Sequence, residues 1–160
     1  MRRNVTPRGI RFIIGHEGLK TKPYLDARRP PILTIGVGHA FTRSELSSGK
    51  VTIGTERVRW ENGLTEDQCM VLLDQDLDIA ENAVESLAPG LNDNQFDALV
   101  SFVFNVGVGA FEGSTLLRRI RAGALDEVPR EMAKWIRSGG AHPPGLPIRR
   151  AAEGELWSRD

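Results

Sequence analysis

One amphipathic stretch, from Thr65 to Ala88, constrains the fold of this 160-residue chain more than any other feature of its sequence. It opens with Thr65-Glu66-Asp67-Gln68, a pattern typical of a capping box at the start of a helix. Apolar side chains then recur three or four positions apart, on one helical face, at Met70, Leu73, Leu77, Ala80, Val84 and Leu87. A helix over this stretch is about 36 Å long, and Pro89-Gly90 ends it. A rod of that length predicts a helix that joins two lobes.

The segment from Gly18 to Gly63 has a different character, with glycines, prolines and short β-branched runs that predict a small antiparallel sheet. Its best strand is Ile32–His39. Alternation puts Thr34, Gly36 and Gly38 on one face, whereas the opposite face carries Leu33, Ile35, Val37 and His39. A second hairpin is predicted from 51–53 and 57–60 around Gly54.

The remaining segments have helical patterns. Thr6-Pro7 predicts the start of a first helix that ends at Gly18. Later helices are predicted after Asn92, after Ser114, over 126–136, and from Pro147 to about Trp157. We therefore expect an α+β fold in a single domain, residues 1–160, with a β-rich lobe at about 18–63. The helical lobe covers about 64–160 together with the N-terminal helix.

Charge is segregated along the chain, although 21 Lys and Arg balance 21 Asp and Glu. Residues 1–60 carry 12 bases and 4 acids, whereas residues 61–117 carry 11 acids and no base. The acids can face the basic segments within the fold, or the basic region can attract an anionic polymer. No nucleic-acid motif accompanies the charge, so we expect no nucleic-acid partner.

Other classes are disfavoured by composition. No apolar run approaches the roughly 20 residues of a membrane span, and the first residues do not resemble a signal peptide. Cys69 is the only cysteine, which excludes an internal disulfide and fits synthesis in a reducing cytoplasm. The three histidines show no metal-ligand spacing. We expect no metal, no cofactor and no stable membrane insertion.

Two carboxylates stand apart in the basic N-terminal region. Glu17 falls on the last turn of the first predicted helix, where the negative end of the helix dipole favours a protonated acid. Asp26 stands beside Arg28 and Arg29, which favour its ionised form. One acid and one ion are what glycoside hydrolysis needs, and the Thr34 hydroxyl could hold a water. Their spacing alone does not distinguish an active site from an ordinary loop.

Ordered motifs strengthen this interpretation. Three motifs in this order resemble the active-site signature of phage-type lysozymes, glycoside hydrolase family 24. They are Glu17-Gly18-Leu19, Tyr24-x-Asp26 and Thr34-Ile35-Gly36-x-Gly38-His39. The resemblance spans about residues 7–157, with further matches at 64–66, 74–77, 95–99, 104–107, 114–117 and 145–153.

The resemblance implies a lysozyme-like fold and specific roles. Glu17 would be the general acid of an inverting muramidase, and Asp26 would position the attacking water with Thr34. Phe104 and Ser114 match saccharide-cleft positions, and His39 and Asp76 match a structural ion pair. One of Arg149 and Arg150 would approach Glu17. The implied partner is peptidoglycan, acted on by a monomer that is made in the host cytoplasm and reaches the wall after the membrane is permeabilised.

The sequence also departs from the family's pattern. The step from Asp26 to Thr34 is eight residues, where the family commonly has about six, and the segment 44–62 is long. A binding module of the same fold, with weak or no catalysis, is therefore a second hypothesis. A chitinase-like enzyme acting on N-acetylglucosamine polymers is a third.

Overall fold

A computed structural model gives the fold, and it describes residues 2–160. The chain divides into two compact units. The sheet unit comprises Ile13–Asp76 and Ser138–Ala141, and the helical unit comprises the residues up to Phe12, Leu77–Arg137 and His142–Asp160. The elements in chain order are α1 (Pro7–Glu17), β1 (Lys20–Leu25), β2 (Leu33–Gly36), β3 (His39–Ala40), α2 (Arg43–Ser48), β4 (Lys50–Ile53), β5 (Glu56–Arg59), α3 (Glu66–Leu87), α4 (Asp93–Val106), α5 (Val108–Glu112), α6 (Thr115–Arg121), a 3₁₀ turn (Leu125–Glu127), α7 (Val128–Met132) and α8 (Gly145–Trp157). The predicted α+β class is confirmed.

Two small antiparallel sheets form the sheet unit. One has the order β1-β2-β3, and the other is the β4–β5 hairpin that the sequence predicts around Gly54. β1 is an edge strand with a register irregularity between Lys20 and Tyr24, where Pro23 cannot donate to the ladder. The core beneath the sheets contains buried apolar side chains, Ile35, Phe41, Val51, Ile53, Leu64, Cys69 and Leu72.

The predicted strand Ile32–His39 is wrong in its extent. β2 ends at Gly36, and the chain turns back so that His39 in β3 pairs with Ile35. Gly36 and Gly38 both have positive φ, 66° and 69°, a conformation that side-chain-bearing residues rarely adopt. The glycines are therefore turn residues, and the predicted alternation of faces stops at Gly36.

The helical unit is organised around α8. α4 and α7 both pack against it. α4 begins with a capping box in which Asn92 and Gln95 bond each other's backbone N–H groups. The predicted helix 126–136 is shorter than expected, because α7 ends at Met132, and α8 begins two residues before Pro147. Within residues 2–160, no helix is both long enough and apolar enough to cross a membrane.

Candidate active site

Glu17 is the last residue of α1, as its sequence context predicts. The Thr6 hydroxyl accepts a hydrogen bond from Gly9 N at the start of this helix. At its other end, Gly18 adopts φ 75° and its N–H donates to Ile14 O at 2.7 Å. A glycine in this conformation ends an α-helix efficiently. The Glu17 side chain therefore leaves α1 at its carboxyl end, half-buried.

The turn between β2 and β3 lies against the Glu17 carboxyl group. A Cβ built on Gly38 would be 2.7 Å from Glu17 Oε2 and 3.0 Å from its carboxyl carbon. Position 38 thus requires glycine for two reasons. Its φ is positive, and the Glu17 carboxyl group occupies the space that a side chain would need. Of the two glycines in the motif, Gly38 is the one that leaves room for the Glu17 carboxyl group.

Asp26 follows β1 and is held by its own loop. Its Oδ1 accepts hydrogen bonds from Ile32 N at 2.9 Å and Arg28 N at 3.0 Å, and the Arg28 guanidinium binds Oδ2. Partial burial acts to raise the pKa of Asp26. The hydrogen bonds from Ile32 and Arg28, with the charge of Arg28, outweigh burial and hold the pKa below its ordinary value. Asp26 is therefore ionised at neutral pH, with a side chain that remains 15% exposed.

Thr34 is tied to the same loop. Its hydroxyl donates to Ile32 O at 2.9 Å, and Asp26 N donates to the same carbonyl oxygen at 3.0 Å. The threonine is 1% exposed. The sequence places this hydroxyl on a bare, glycine-lined strand face; the structure instead commits its proton to a backbone carbonyl. The oxygen keeps its acceptor capacity for a water.

Tyr24 lies beside the candidate site, and sequence reasoning gave it no role. It lies opposite Thr34 in the β1–β2 register, and Lys20 Nζ is 4.2 Å from the centroid of its ring. Burial raises the pKa of Tyr24 most, and the carboxylates of Glu17 and Asp26 raise it further. The Tyr24 hydroxyl is therefore within electrostatic reach of both carboxylates. Its only signal in the sequence is its position two residues before Asp26.

His39 is bound between two carboxylates. Its Nδ1 is 2.7 Å from Asp76 Oδ2, and its Nε2 is 2.9 Å from Glu45 Oε2. Burial acts to lower the pKa of His39, but Asp76 and Glu45 outweigh it and raise the pKa to about 9. Sequence reasoning named the Asp76 contact and missed Glu45. Its signal was the capping box of α2, in which Thr42 N donates to Glu45 Oε2.

Phe104 and Ser114 belong to the helical unit. Phe104 lies in the last turns of α4 and is half-buried. Ser114 is buried and caps α6, because its hydroxyl donates to Phe111 O at 2.6 Å and accepts from Leu117 N at 3.0 Å. The Ser114 hydroxyl therefore caps α6, and the predicted saccharide-cleft roles of Ser114 and Phe104 stay predictions.

Arg149 and Arg150 both bind Glu153 within α8. Arg149 Nε is 3.0 Å from one carboxylate oxygen and Arg150 Nη1 is 2.6 Å from the other. Ser101 of α4 also donates to Glu153, at 2.9 Å. The approach of one of these arginines to Glu17 stays a prediction. Among the described residues, no group of three His, Cys, Asp or Glu side chains could hold a metal ion.

Comparison with known proteins identifies the family. The family model described as phage lysozyme matches residues 14–153. The endolysin of Salmonella phage P22 is 34% identical over 91% of this chain and 92% of its own length. Among solved structures, a variant of P22 lysozyme has a TM-score of 0.77 at 33% identity, covering 98% of this chain and 99% of that one. The muramidase domain of SpmX from Asticaccaulis excentricus has a TM-score of 0.79 at 30% identity, covering 99% and 100%.

Relatives of greater length also match. The endolysin of Bacillus phage B103 is 35% identical over 96% of this chain. The chain spans about half the length of that relative, 54% of it. The family match nonetheless covers most of the present chain, including the whole Glu17–Thr34 region. This chain belongs to the phage lysozyme family.

Proposed function

We propose that this chain is a peptidoglycan hydrolase that cleaves the β-1,4 link between N-acetylmuramic acid and N-acetylglucosamine. The observation that carries the proposal is the unequal treatment of two carboxyl groups in the sheet unit. Glu17 lies at the carboxyl end of α1 against Gly38, whereas loop hydrogen bonds hold Asp26 as an ion. Glycoside hydrolysis uses one carboxylic acid and one carboxylate.

In the proposed mechanism, Glu17 protonates the oxygen of the leaving sugar. Asp26 accepts a proton from a water on the opposite face of the sugar ring, and Thr34 orients that water through its acceptor oxygen. Because water attacks directly, the first product has inverted anomeric configuration. Arg28 and the Ile32 N–H keep Asp26 oriented while it acts. Phe104 and Ser114 are proposed as saccharide contacts.

Both proposed catalytic carboxylates come from one chain, so a monomer suffices and no cofactor is required. Relatives named endolysins support an action on the bacterial wall during host lysis. In that setting the enzyme is made in the host cytoplasm and reaches the wall once the membrane is permeabilised. The proposed partner is the wall polymer, as the match to the phage lysozyme family supports, and no nucleic-acid partner is proposed.

The test is release of reducing ends from purified peptidoglycan. Glu17→Gln should lower kcat about 10²- to 10⁴-fold, the usual contribution of a general acid. Asp26→Asn should lower kcat with little change in KM. Glu112→Gln is the matched control, because Glu112 is also the last residue of its helix, α5, and is exposed. Full activity in Glu17→Gln, or a first product of retained configuration, would refute the proposed mechanism.

A further inference from the structure

The β4–β5 hairpin has one face turned to the core. Val51 lies opposite Val58 in its register, and both pack in the core cluster of the sheet unit. Ile53 is buried in the same cluster. Since cross-strand partners point to the same side of a two-stranded sheet, this apolar face fixes which side chains point away from the core.

The outer face of the hairpin is basic. Lys50 lies opposite Arg59, and Thr52 lies opposite Arg57, so these four residues share the outward side. Arg57, Arg59 and Thr52 are exposed, and Lys50 is half-buried. Three cations therefore stand together on one small face, which we call the basic hairpin face.

These cations are not neutralised by the fold. Within residues 2–160, no ion pair joins Lys50, Arg57 or Arg59 to an acidic side chain. Of the acids of this segment, Glu56 pairs with Ile53 on the other face, and Glu61 reaches towards Gly49. Like charges directly opposite each other weaken a strand pair. The pairing of Lys50 with Arg59 therefore does not stabilise the hairpin, which suggests that these charges serve a purpose other than folding.

The hairpin is also held rigidly. Gln75 of α3 accepts a hydrogen bond from Gly54 N at 2.7 Å and donates to Thr52 O at 3.0 Å. The basic hairpin face is thus fixed in place before any partner arrives, which reduces the entropic cost of binding.

We infer that the basic hairpin face is a docking surface for the stem peptides of peptidoglycan, whose carboxylates it binds. This inference rests on the proposed function, since it names the part of that substrate which the sheet unit grips. Arginine guanidinium groups match carboxylates with paired hydrogen bonds. Because the whole chain has zero formal net charge, attraction to an anionic wall has to come from a local patch of this kind.

The first experiment measures co-sedimentation with peptidoglycan that has been freed of attached phosphate polymers. Glu17→Gln is the parent, so that the polymer stays intact during the measurement. The test variant adds Lys50→Gln, Arg57→Gln and Arg59→Gln. The matched control adds Arg118→Gln, Arg130→Gln and Arg159→Gln, which remove the same charge from exposed positions of the helical unit.

We expect the test variant to bind about tenfold more weakly than the parent at low salt, and the control about as well as the parent. The difference should shrink to within about twofold near 1 M salt, where charges are screened beyond about 3 Å. Unfolding midpoints should show the test variant no less stable, because it removes a like-charge pair. Equal binding by test variant and control would overturn the inference.

A second arm identifies the occupant. Peptidoglycan stripped of its stem peptides by an amidase should bind parent and test variant equally. A difference that persists on stripped glycan, or that appears only when wall phosphate polymers or duplex DNA are offered, would overturn the assignment to stem peptides. Failure of the proposed function is separate, because it would appear as no release of reducing ends by the wild type whatever the binding result.

Discussion

Asp26 and Glu153 are both carboxylates bound by arginine, yet the two units hold them in opposite ways. Asp26 takes its contacts from a short loop, and its partner Arg28 is 44% exposed. Glu153 is fully buried, and two buried arginines, Arg149 and Arg150, bind its two oxygens. One carboxylate is oriented and left partly open to water, and the other is enclosed.

The two environments suit a carboxylate to different tasks, one to proton transfer and the other to holding the fold together. A buried carboxylate whose oxygens are taken by guanidinium groups has little capacity left to receive a proton or hold a water. A carboxylate fixed by short-range contacts, with part of its surface exposed, keeps that capacity. The proposed base therefore belongs in the loop, and the enclosed carboxylate belongs between the helices α4 and α8.

The largest expected effect comes from opening the enclosed site. Glu153→Ala leaves two buried guanidinium groups without their carboxylate partner and should lower the free energy of unfolding by about 3–5 kcal/mol. Glu127→Ala is the control, since this carboxylate is 35% exposed and also contacts two arginines, Arg119 and Arg130. Its loss should cost under about 1 kcal/mol. Urea unfolding measures the free energy of unfolding of both variants. Equal losses in the two would contradict the contrast between the enclosed and the exposed carboxylate.

A second prediction concerns the stability that the ion pairs of His39 contribute inside the sheet unit. Its folded pKa of about 9 exceeds the ordinary value of 6.5. The ion pairs of protonated His39 with Asp76 and Glu45 therefore contribute their full stability below pH 6.5, and this contribution is lost as pH rises through 9. We expect a loss of at most about 3 kcal/mol over that interval. Unfolding free energies of wild type and His39→Gln across this range measure it, and the same slope in both would contradict the assignment.

Gly38→Ala tests the space beside the proposed acid. The positive φ should cost about 1–2 kcal/mol of stability. The new Cβ would also displace the Glu17 carboxyl group, because it falls 2.7 Å from Oε2. Misplacement of this kind can lower kcat about 100-fold. Gly123→Ala is the control, with φ 77° and no atom within 4 Å of the new Cβ; it should lose similar stability and keep its activity.

Arg28→Gln should have the smallest effect on stability, below about 1 kcal/mol, since this ion pair is partly exposed. Its effect on pH dependence is sharper. Removing the guanidinium raises the pKa of Asp26 towards its ordinary value, so the carboxylate is protonated at higher pH. The acid limb of the kcat/KM profile should shift upwards. An unchanged limb would mean that Asp26 does not act as the ion.

The sequence by itself determined the features that depend on near neighbours. Thr6 and Gly18 bound α1 and so put Glu17 on its last turn, because a cap acts within one helical turn. The capping box at Asn92 likewise places the start of α4. The loop bases predicted an ionised Asp26, and its low pKa confirms that prediction.

Only the tertiary structure decided what distant groups do to one another. A turn at Gly36 and Gly38 stands where a continuous strand is predicted. The space beside Gly38 is occupied by the carboxyl group of Glu17, about twenty residues earlier in the chain. The acids of α3 and α4 bind the N-terminal arginines across more than 70 positions, as in the bond from Arg3 to Asp93. Periodicity and capping are local properties of a chain, whereas burial and charge pairing depend on which segments the fold brings together.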